Sequence, residues 1–596
     1  MQNEKKLFAT PFYALLFLLF LGIRFYMLDA DLPPWSLTYY QALDEPYYML
    51  FGYNHHVFGT VTPKIADFVV HNYSGLGSLI VNFFPWIGIE TLGNNYYGIR
   101  TPSIVMSLVI VGTMIYLSRE LFKNAGANDK TAKSAIAFLI VYTAIDFSFI
   151  MAGRVLEPTI YRAAAMMLLI FFTYRIFKKE TISDKDSLWL GALTLSSFVF
   201  VYLSNFFLLP AIFTALCIRL YPSGWSAMIR GVSFFILGTL IAFVIFNLLF
   251  YMVFHIDFFT SVINVIRIYS DRLAGSGGGE SHFFKNILAN IFSFFATNFF
   301  RFNLAILLLF LATIPLVAIR WSKSRDHLLL VAGSALFFFF LQSLVLNDFP
   351  YRKLIILFPL VFLFFIYMAA NLKHVMEDSK MLRKNRAWQL YALLSFVLAS
   401  LILYRSGYKA LSFDPFVQKI VTIIGILILL GFASLMFKPE KIGIRGFTFL
   451  MILSLVPNIA LDYRYIFQAP QKHLTSTEMS LRKTLGDQPV LGGMAWSLKP
   501  NNDYIPLINT YAYLYQANEE TYIEHTQRLQ KMYDVQYALD FTKEKNIKLL
   551  EKAGFRLVQV YDINEAIGRP IGLYRFERKK EEKSSYPNET PSRKSP

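Results

Sequence analysis

Residues 8–28 read Phe8-Ala-Thr-Pro-Phe-Tyr-Ala-Leu-Leu-Phe-Leu-Leu-Phe-Leu-Gly-Ile-Arg-Phe-Tyr-Met-Leu28, and this stretch decides what kind of molecule the chain is. The run is long enough to cross a ~30 Å hydrocarbon core as a helix. It is too long for the apolar core of a signal peptide, and no small-residue cleavage site follows it. We read it as a retained first helix. Comparable runs of about 20 residues recur to about residue 460. Of the 596 residues, 55% are hydrophobic and only 16% charged, where soluble domains carry roughly 25% charged residues. These values exclude a soluble globule and predict a polytopic membrane protein.

Hydropathy predicts about thirteen transmembrane helices. They centre near Leu18, Val109, Leu139, Leu168, Leu195, Phe213, Leu240, Leu309, Phe337, Leu360, Phe396, Ile426 and Leu453. Lys and Arg in short loops then set the orientation. Basic clusters at Lys5/Lys6, Arg119/Lys123/Lys130, Lys178/Lys179/Lys185, Arg219/Arg230, Arg320/Lys323/Arg325, Arg383/Lys384/Arg386 and Lys438/Lys441 mark the cytoplasmic loops. The alternate short connections hold fewer cations: Arg154 with Arg162, Arg352 with Lys353, and Arg405 with Lys409. An odd count leaves the N-terminus in the cytoplasm and the C-terminal region outside. The net charge of +17, from 57 Lys and Arg against 40 Asp and Glu, is thereby a topological signal and needs no nucleic-acid partner. The single cysteine, Cys217, excludes an intrachain disulfide.

The predicted domains are a transmembrane domain over 1–461, an extracytoplasmic α/β domain over 462–576, and a disordered Lys/Glu/Ser/Pro-rich tail over 577–596. Within the first lie an external loop at 29–97 and a second at 255–301. The 29–97 loop carries interfacial stretches at Tyr47–Phe58 and Leu76–Ile89. The 255–301 loop contains the flexible run Ala-Gly-Ser-Gly-Gly-Gly at 274–279. In the C-terminal domain, strand-like runs at Pro489–Met494, Phe555–Tyr561 and Ile571–Phe576 alternate with helical patterns at Ser476–Leu485, Glu519–Met532 and Lys543–Ala553.

Polar motifs gather on the external side. Leu43-Asp44-Glu45-Pro46-Tyr47-Tyr48 follows the first span, with His55, His56 and His71 after it. Gly153-Arg154-Val-Leu-Glu157-Pro158 joins the third and fourth spans, and Asn347-Asp-Phe-Pro-Tyr351-Arg352-Lys353 ends a later one. Such a set suits inverting glycosyl transfer from a lipid phosphate. An acceptor hydroxyl needs a carboxylate base. The departing phosphate is already a weak base and needs only cations to receive its charge, whereas glycoside hydrolysis needs a second carboxyl as acid. Each motif also has a structural reading. Adjacent acids are commonly solvated, Arg352-Lys353 can anchor a helix end at headgroups, and Arg154 with Glu157 can be a helix ion pair. Their common sidedness favours the functional reading. Asp146 falls within the third span, where a charge must face the bundle or a cavity, and a structural partner is favoured for it.

These residues, in this order, resemble the C-type (GT-C) glycosyltransferases, the superfamily of protein O-mannosyltransferases and the lipid A aminoarabinose transferase. Asp44-Glu45-Pro-Tyr-Tyr resembles the acidic motif of that family's first external loop, where the first acid is catalytic. Tyr97-Gly-Ile-Arg100-Thr-Pro102-Ser103 is similar to the entry of its second span, and Arg119-Glu120-Leu-Phe122 to that span's cytoplasmic exit. Gly153-Arg154-Val-Leu-Glu157-Pro158 resembles its second external acidic motif, with Glu where many members have Asp. Tyr351-Arg352-Lys353 with Pro359 resembles the start of a late span that contacts carrier phosphate. The family's His-Pro-Pro-Leu is here only His71-Asn-Tyr-Ser-Gly-Leu76.

The resemblance implies an integral membrane glycosyltransferase, hexosyl- or pentosyl-, in the inner (plasma) membrane with an extracytoplasmic active site. Its donor is a polyprenyl-phosphate-linked sugar and its acceptor a hydroxyl or amine on protein, lipid or glycan. Asp44 and Glu157 are the expected catalytic carboxylates. Glu45, Tyr47, Tyr48, Arg154, Tyr351, Arg352 and Lys353 are the expected substrate-binding residues. A divalent metal is left open, with Asp44, Glu157, His55 and His56 as its available ligands. The rival readings are a transporter or lipid-linked sugar flippase without bond chemistry, and a membrane scaffold presenting the external domain.

Overall fold

A helix that is apolar all round is stable only against other helices or lipid, and the tertiary structure shows which helices have which neighbour. The computed structural model describes residues 11–30, 79–254 (without 94, 127–128, 157 and 198–202), 326–346, 355–371, 386–406, 422–431, 452–468 (without 454), 473–492 (without 487 and 489), 504–506, 519–562 and 570–577, and the single residues 311, 374, 419 and 449. They fall in two compact units, 1–472 and 473–596.

The first unit is helical. Its described helices are α1 (Pro11–Phe25), α2 (Leu79–Leu92), α3 (Tyr96–Asn124), α4 (Asp129–Ile145), α5 (Phe147–Gly153), α6 (Pro158–Phe177), α7 (Asp184–Ser196), α8 (Leu208–Leu220), α9 (Trp225–Phe254), α10 (His327–Leu346), α11 (Leu357–Ala370), α12 (Arg386–Ser406), α13 (Thr422–Gly431) and α14 (Leu455–Asp462). Among the described residues, five helices are long and apolar enough to cross a membrane, six if the bent pair α4–α5 is one span. Leu240, Val244 and Leu248 of α9 are all more than half exposed. That surface would be a liability in water and suits lipid. The chain is a multi-pass membrane protein.

Several expected spans take a shorter or broken form. The one centred near Leu139 breaks at Asp146 with a bend of 66°, and α7, near Leu195, has 13 residues. Those near Leu18, Leu360 and Ile426 are apolar helices of 10–17 residues in their described parts, and the 21-residue α12 near Phe396 is apolar over Arg386–Leu401. The span near Leu309 lies outside the described residues, apart from Leu311. Of the stretch expected at the interface, Leu76–Ile89, the described part from Leu79 onward is helical as α2 and packs on α3 through glycine. A Cβ on Gly88 would fall 2.0 Å from the Gly98 carbonyl oxygen. Gly191 of α7 and Gly238 of α9 bring those two helices equally close, to the carbonyls of Phe235 and Leu188. Small residues at such crossings let backbones touch where lipid offers no hydrophobic drive to associate.

Helix directions follow from a few contacts. Tyr13 donates to the Lys133 carbonyl (3.2 Å) and Arg24 to that of Thr143 (2.9 Å), so α1 and α4 run parallel. Tyr116 meets Phe171, and Asn124 donates to the Tyr174 hydroxyl (3.0 Å), so α3 and α6 run parallel as well. At one end of the bundle Lys178 pairs with Glu120 at 2.5 Å, Arg219 donates to the carbonyls of Phe177 and Lys179, and Arg230 pairs with Asp184. Three loops that the Lys/Arg bias assigns to one side therefore meet at one end. Hydrogen bonding to Glu120 raises the Lys178 amine above its usual range. Pairs this exposed contribute little to stability.

The second unit carries a five-stranded sheet of order β2-β1-β3-β5-β4, with β1 (Val490–Gly492), β2 (Tyr504–Pro506), β3 (Tyr537–Phe541), β4 (Phe555–Tyr561) and β5 (Ile571–Phe576). β1 pairs in parallel with β2 and β3, while β5 is antiparallel to β3 and β4. Helices α15 (His473–Leu485), α16 (Glu519–Tyr533) and α17 (Glu544–Lys552) accompany it. The helical patterns predicted from residue 476 onward match these helices closely. The predicted strand set lacks β2 and the central strand β3. The membrane unit also extends beyond the expected boundary at 461. Asp462 is buried in it, and Phe467 packs on Tyr26 at 5.1 Å.

Candidate active site

Arg154 is the expected site residue that the described structure contains. Asp44, Glu45, Tyr47, Tyr48, His55, His56, His71, Glu157, Tyr351, Arg352 and Lys353 lie outside the described residues. Arg154 sits at the end of the bundle opposite the basic loops, in a buried cluster that sequence reasoning did not assemble.

The cluster is built around the break in the third span. Asp146 supplies it: its carboxylate accepts from the Phe149 amide at 2.8 Å and caps α5. A capping carboxylate satisfies one of the amides that a helix start leaves without partners. The Phe147 amide goes to Asn458 Oδ1 of α14 at 3.2 Å. This is the structural partnership expected for Asp146, with α14 as an unforeseen second support. The seven residues of α5 then deliver Arg154 at their C-terminal cap, its amide bonded to the Met151 carbonyl at 3.1 Å. Gly153 permits this packing, since a Cβ there would come 2.4 Å from Ser107 Oγ.

Three guanidinium groups meet at this end. Arg24, the fourteenth residue of α1, donates to the Phe20 and Thr143 carbonyls and lies 3.6 Å from the centre of the Phe20 ring. Arg100, in the second turn of α3, donates to the Leu28 and Ala30 carbonyls at 2.7 and 2.9 Å. Arg154 donates Nη2 to the Met27 carbonyl at 2.6 Å, while its Nε and Nη1 carry no hydrogen bond. Arg100 and Arg154 together tie down residues 27–30, just past the first helix. Two carboxylates offset the three cations. Asp146 and Asp462 interact electrostatically with Arg24, and Asp462 with Arg154 as well. All five groups are buried.

Three guanidinium groups gathered beside residues 27–30 can receive an anion by charge-assisted hydrogen bonds. From Phe20 an apolar groove of about 380 Å³ runs along α1 toward Tyr13, walled by Phe17, Leu108, Ile115 and Ile140. Among the described residues there is no group of three or more His, Cys, Asp or Glu able to hold a metal.

Two readings change. Arg162, taken from sequence as a charge in an external connection, lies in the second turn of α6, buried, with Nε bonded to Asn205 Oδ1 at 3.0 Å. Arg24, Asn458 and Asp462 were not selected as site residues. The available signal was an ionisable residue inside an apolar run, which is retained only for a partner or a function.

The chain is a polytopic membrane protein whose fold is that of the C-type glycosyltransferases. Among the solved structures it is similar to ArnT from Cupriavidus metallidurans bound to undecaprenyl phosphate, with TM-score 0.50 and 13% identity over 95% of this chain and 98% of that one. The apo form of the same protein gives 0.49 and 12% over 94% and 97%. An oligosaccharyltransferase from Archaeoglobus fulgidus, in complex with Zn and sulfate, gives 0.35 and 12% over 94% and 72%. At such identities the likeness is one of fold. No protein-family profile and no curated protein sequence matches the chain.

Proposed function

We propose that the chain is an inverting glycosyltransferase that takes its sugar from a polyprenyl-phosphate carrier and works on the extracytoplasmic side of the inner membrane. The observation that carries this reading is the gathering of Arg100 and Arg154 on residues 27–30, with Arg24 buried on the helix just before them, at the start of the sequence segment that bears Asp44. In the reaction the acceptor oxygen or nitrogen bonds to the anomeric carbon from the face opposite the phosphate. Asp44 takes the acceptor's proton as that bond forms. The bond from the anomeric carbon to the phosphate oxygen breaks, and its electron pair leaves with the polyprenyl phosphate. Arg154, Arg352 and Lys353 stabilise that charge. Glu157 and Glu45 orient the acceptor, and Tyr47, Tyr48 and Tyr351 pack around the sugar phosphate. The isoprenoid tail fits the groove beside α1, whose walls are apolar.

Purified protein incubated with labelled polyprenyl-phosphate sugars is expected to release free carrier. Asp44→Asn should lower that rate by about 10²–10⁴-fold, the usual contribution of a general base, with expression unchanged. Near-normal transfer by that variant would remove Asp44 from the role. A second reading rests on the broken third span, since discontinuous helices beside buried charges also build transport sites. Movement of lipid-linked sugar across proteoliposomes without carrier release would favour it.

A further inference from the structure

We infer that α14 aims Arg154, with Asn458 and Asp462 as positioning residues for its guanidinium; this rests on the transferase reading above. One hydrogen bond, to the Met27 carbonyl, does not orient a guanidinium that has five donors. Two further nitrogens of Arg154 are buried without hydrogen bonds, and the nearby Arg100 repels it. Something must hold the group against that repulsion, and α14 provides it in two ways.

Asn458 accepts the Phe147 amide and so fixes the first turn of α5, the short helix whose far end is Arg154. Asp462 stands four residues further along, on the same face of α14. It is 5% exposed, its Oδ1 carries no hydrogen bond, and its charge attracts Arg154 and Arg24 together. The Tyr26–Phe467 ring contact joins the end of α1 to the residues after α14. The Met27 carbonyl thus holds Nη2 of Arg154, while the buried Asp462 carboxyl lies near enough to act on the guanidinium electrostatically. Its free N–H groups are left to face a departing phosphate. Remote positioning of this kind matters because a misplacement of about 1 Å can cost roughly 100-fold in rate.

The test is a double-mutant cycle on the full-length protein in proteoliposomes, read as carrier release from a labelled polyprenyl-phosphate sugar. Asp462→Asn is expected to lower kcat/KM by about 100-fold. Asp462→Glu should recover most of that loss. In an Arg154→Lys background Asp462→Asn should have little further effect, because the group it aims is already gone. A merely structural role for Asp462 predicts the opposite: the same fold loss in either background, and no rescue by Glu. That result, or wild-type kinetics for Asp462→Asn, overturns the inference. If Asp462→Asn does not fold, Asn458→Ala enters the same cycle under the same criteria. Absence of carrier release by the unmodified protein overturns the transferase reading and this inference with it. Release by the unmodified protein with additive variants overturns this inference alone.

Discussion

Arg24 illustrates what one ionisable residue means inside an apolar helix. Its guanidinium is fully buried, yet backbone carbonyls on two helices, two aromatic faces and two carboxylates surround it. Removing one partner of a buried charged set is strongly destabilising because the remaining charges stay desolvated. Arg24→Met should therefore lower stability by about 3–5 kcal/mol. Arg24→Lys keeps the charge but loses the planar fork, and should cost less. Thermal unfolding of the two variants in detergent checks the ranking. The residue stood in plain view within the first apolar run. Its neighbours did not, because Thr143, Asp146 and Asp462 reach it only through the packing of α1, α4 and α14.

At the scale of elements, the apolar runs located most of the described helices, but their form depended on side-chain bonds. Nothing in the periodicity around Asp146 announces a break. The bend exists because the Asp146 carboxylate and Asn458 capture amides that would otherwise continue α4. The α7–α9 crossing depends on Gly191 and Gly238. Replacing either with Leu forces backbones apart, and should cost at least the ~1–3 kcal/mol of ordinary overpacking, seen as a lower melting temperature and looser limited proteolysis. In the polar unit β3 was missed because it is central. Tyr537-Ala-Leu-Asp-Phe541 is buried along nearly all its length and shows no alternation. Burial, then the neighbouring Asp540 carboxylate, pushes the Tyr522 phenol above its ordinary value. The folded state thus favours the protonated phenol. This contribution is complete below about pH 10 and is lost as pH rises through the folded value. Unfolding of the α15–α17 unit should set in above about pH 10, and Tyr522→Phe should flatten that alkaline limb.

At the scale of the molecule, the two ends of the bundle differ in chemistry. One end holds Lys178, Arg219 and Arg230 paired at the surface. The other buries Arg24, Arg100 and Arg154 with Asp146 and Asp462. The end of α1 and the end of α14 lie together at the second. Cysteine labelling tests which end faces the cytoplasm. In a Cys217→Ser background, cysteine at Lys185 should react with a membrane-impermeant reagent only in inside-out vesicles. Cysteine at Ser276, in the glycine-rich run, should react only in right-side-out ones. The reverse pattern would invert the topology and move the proposed chemistry to the cytoplasm.

The sequence by itself determined that the chain lives in a membrane, which loops share a side, and that a polar α/β segment follows the last span. Those properties come from local composition: hydrophobic length, basic residues between runs, and side-chain periodicity. Only the tertiary structure decided that Arg24, Arg100, Arg154, Asp146, Asn458 and Asp462 form one assembly. These residues come from α1, α3, α14 and the two ends of α5, scattered over more than 400 residues of chain. A buried charge finds its partners through space, and no local pattern records which distant residues those partners are.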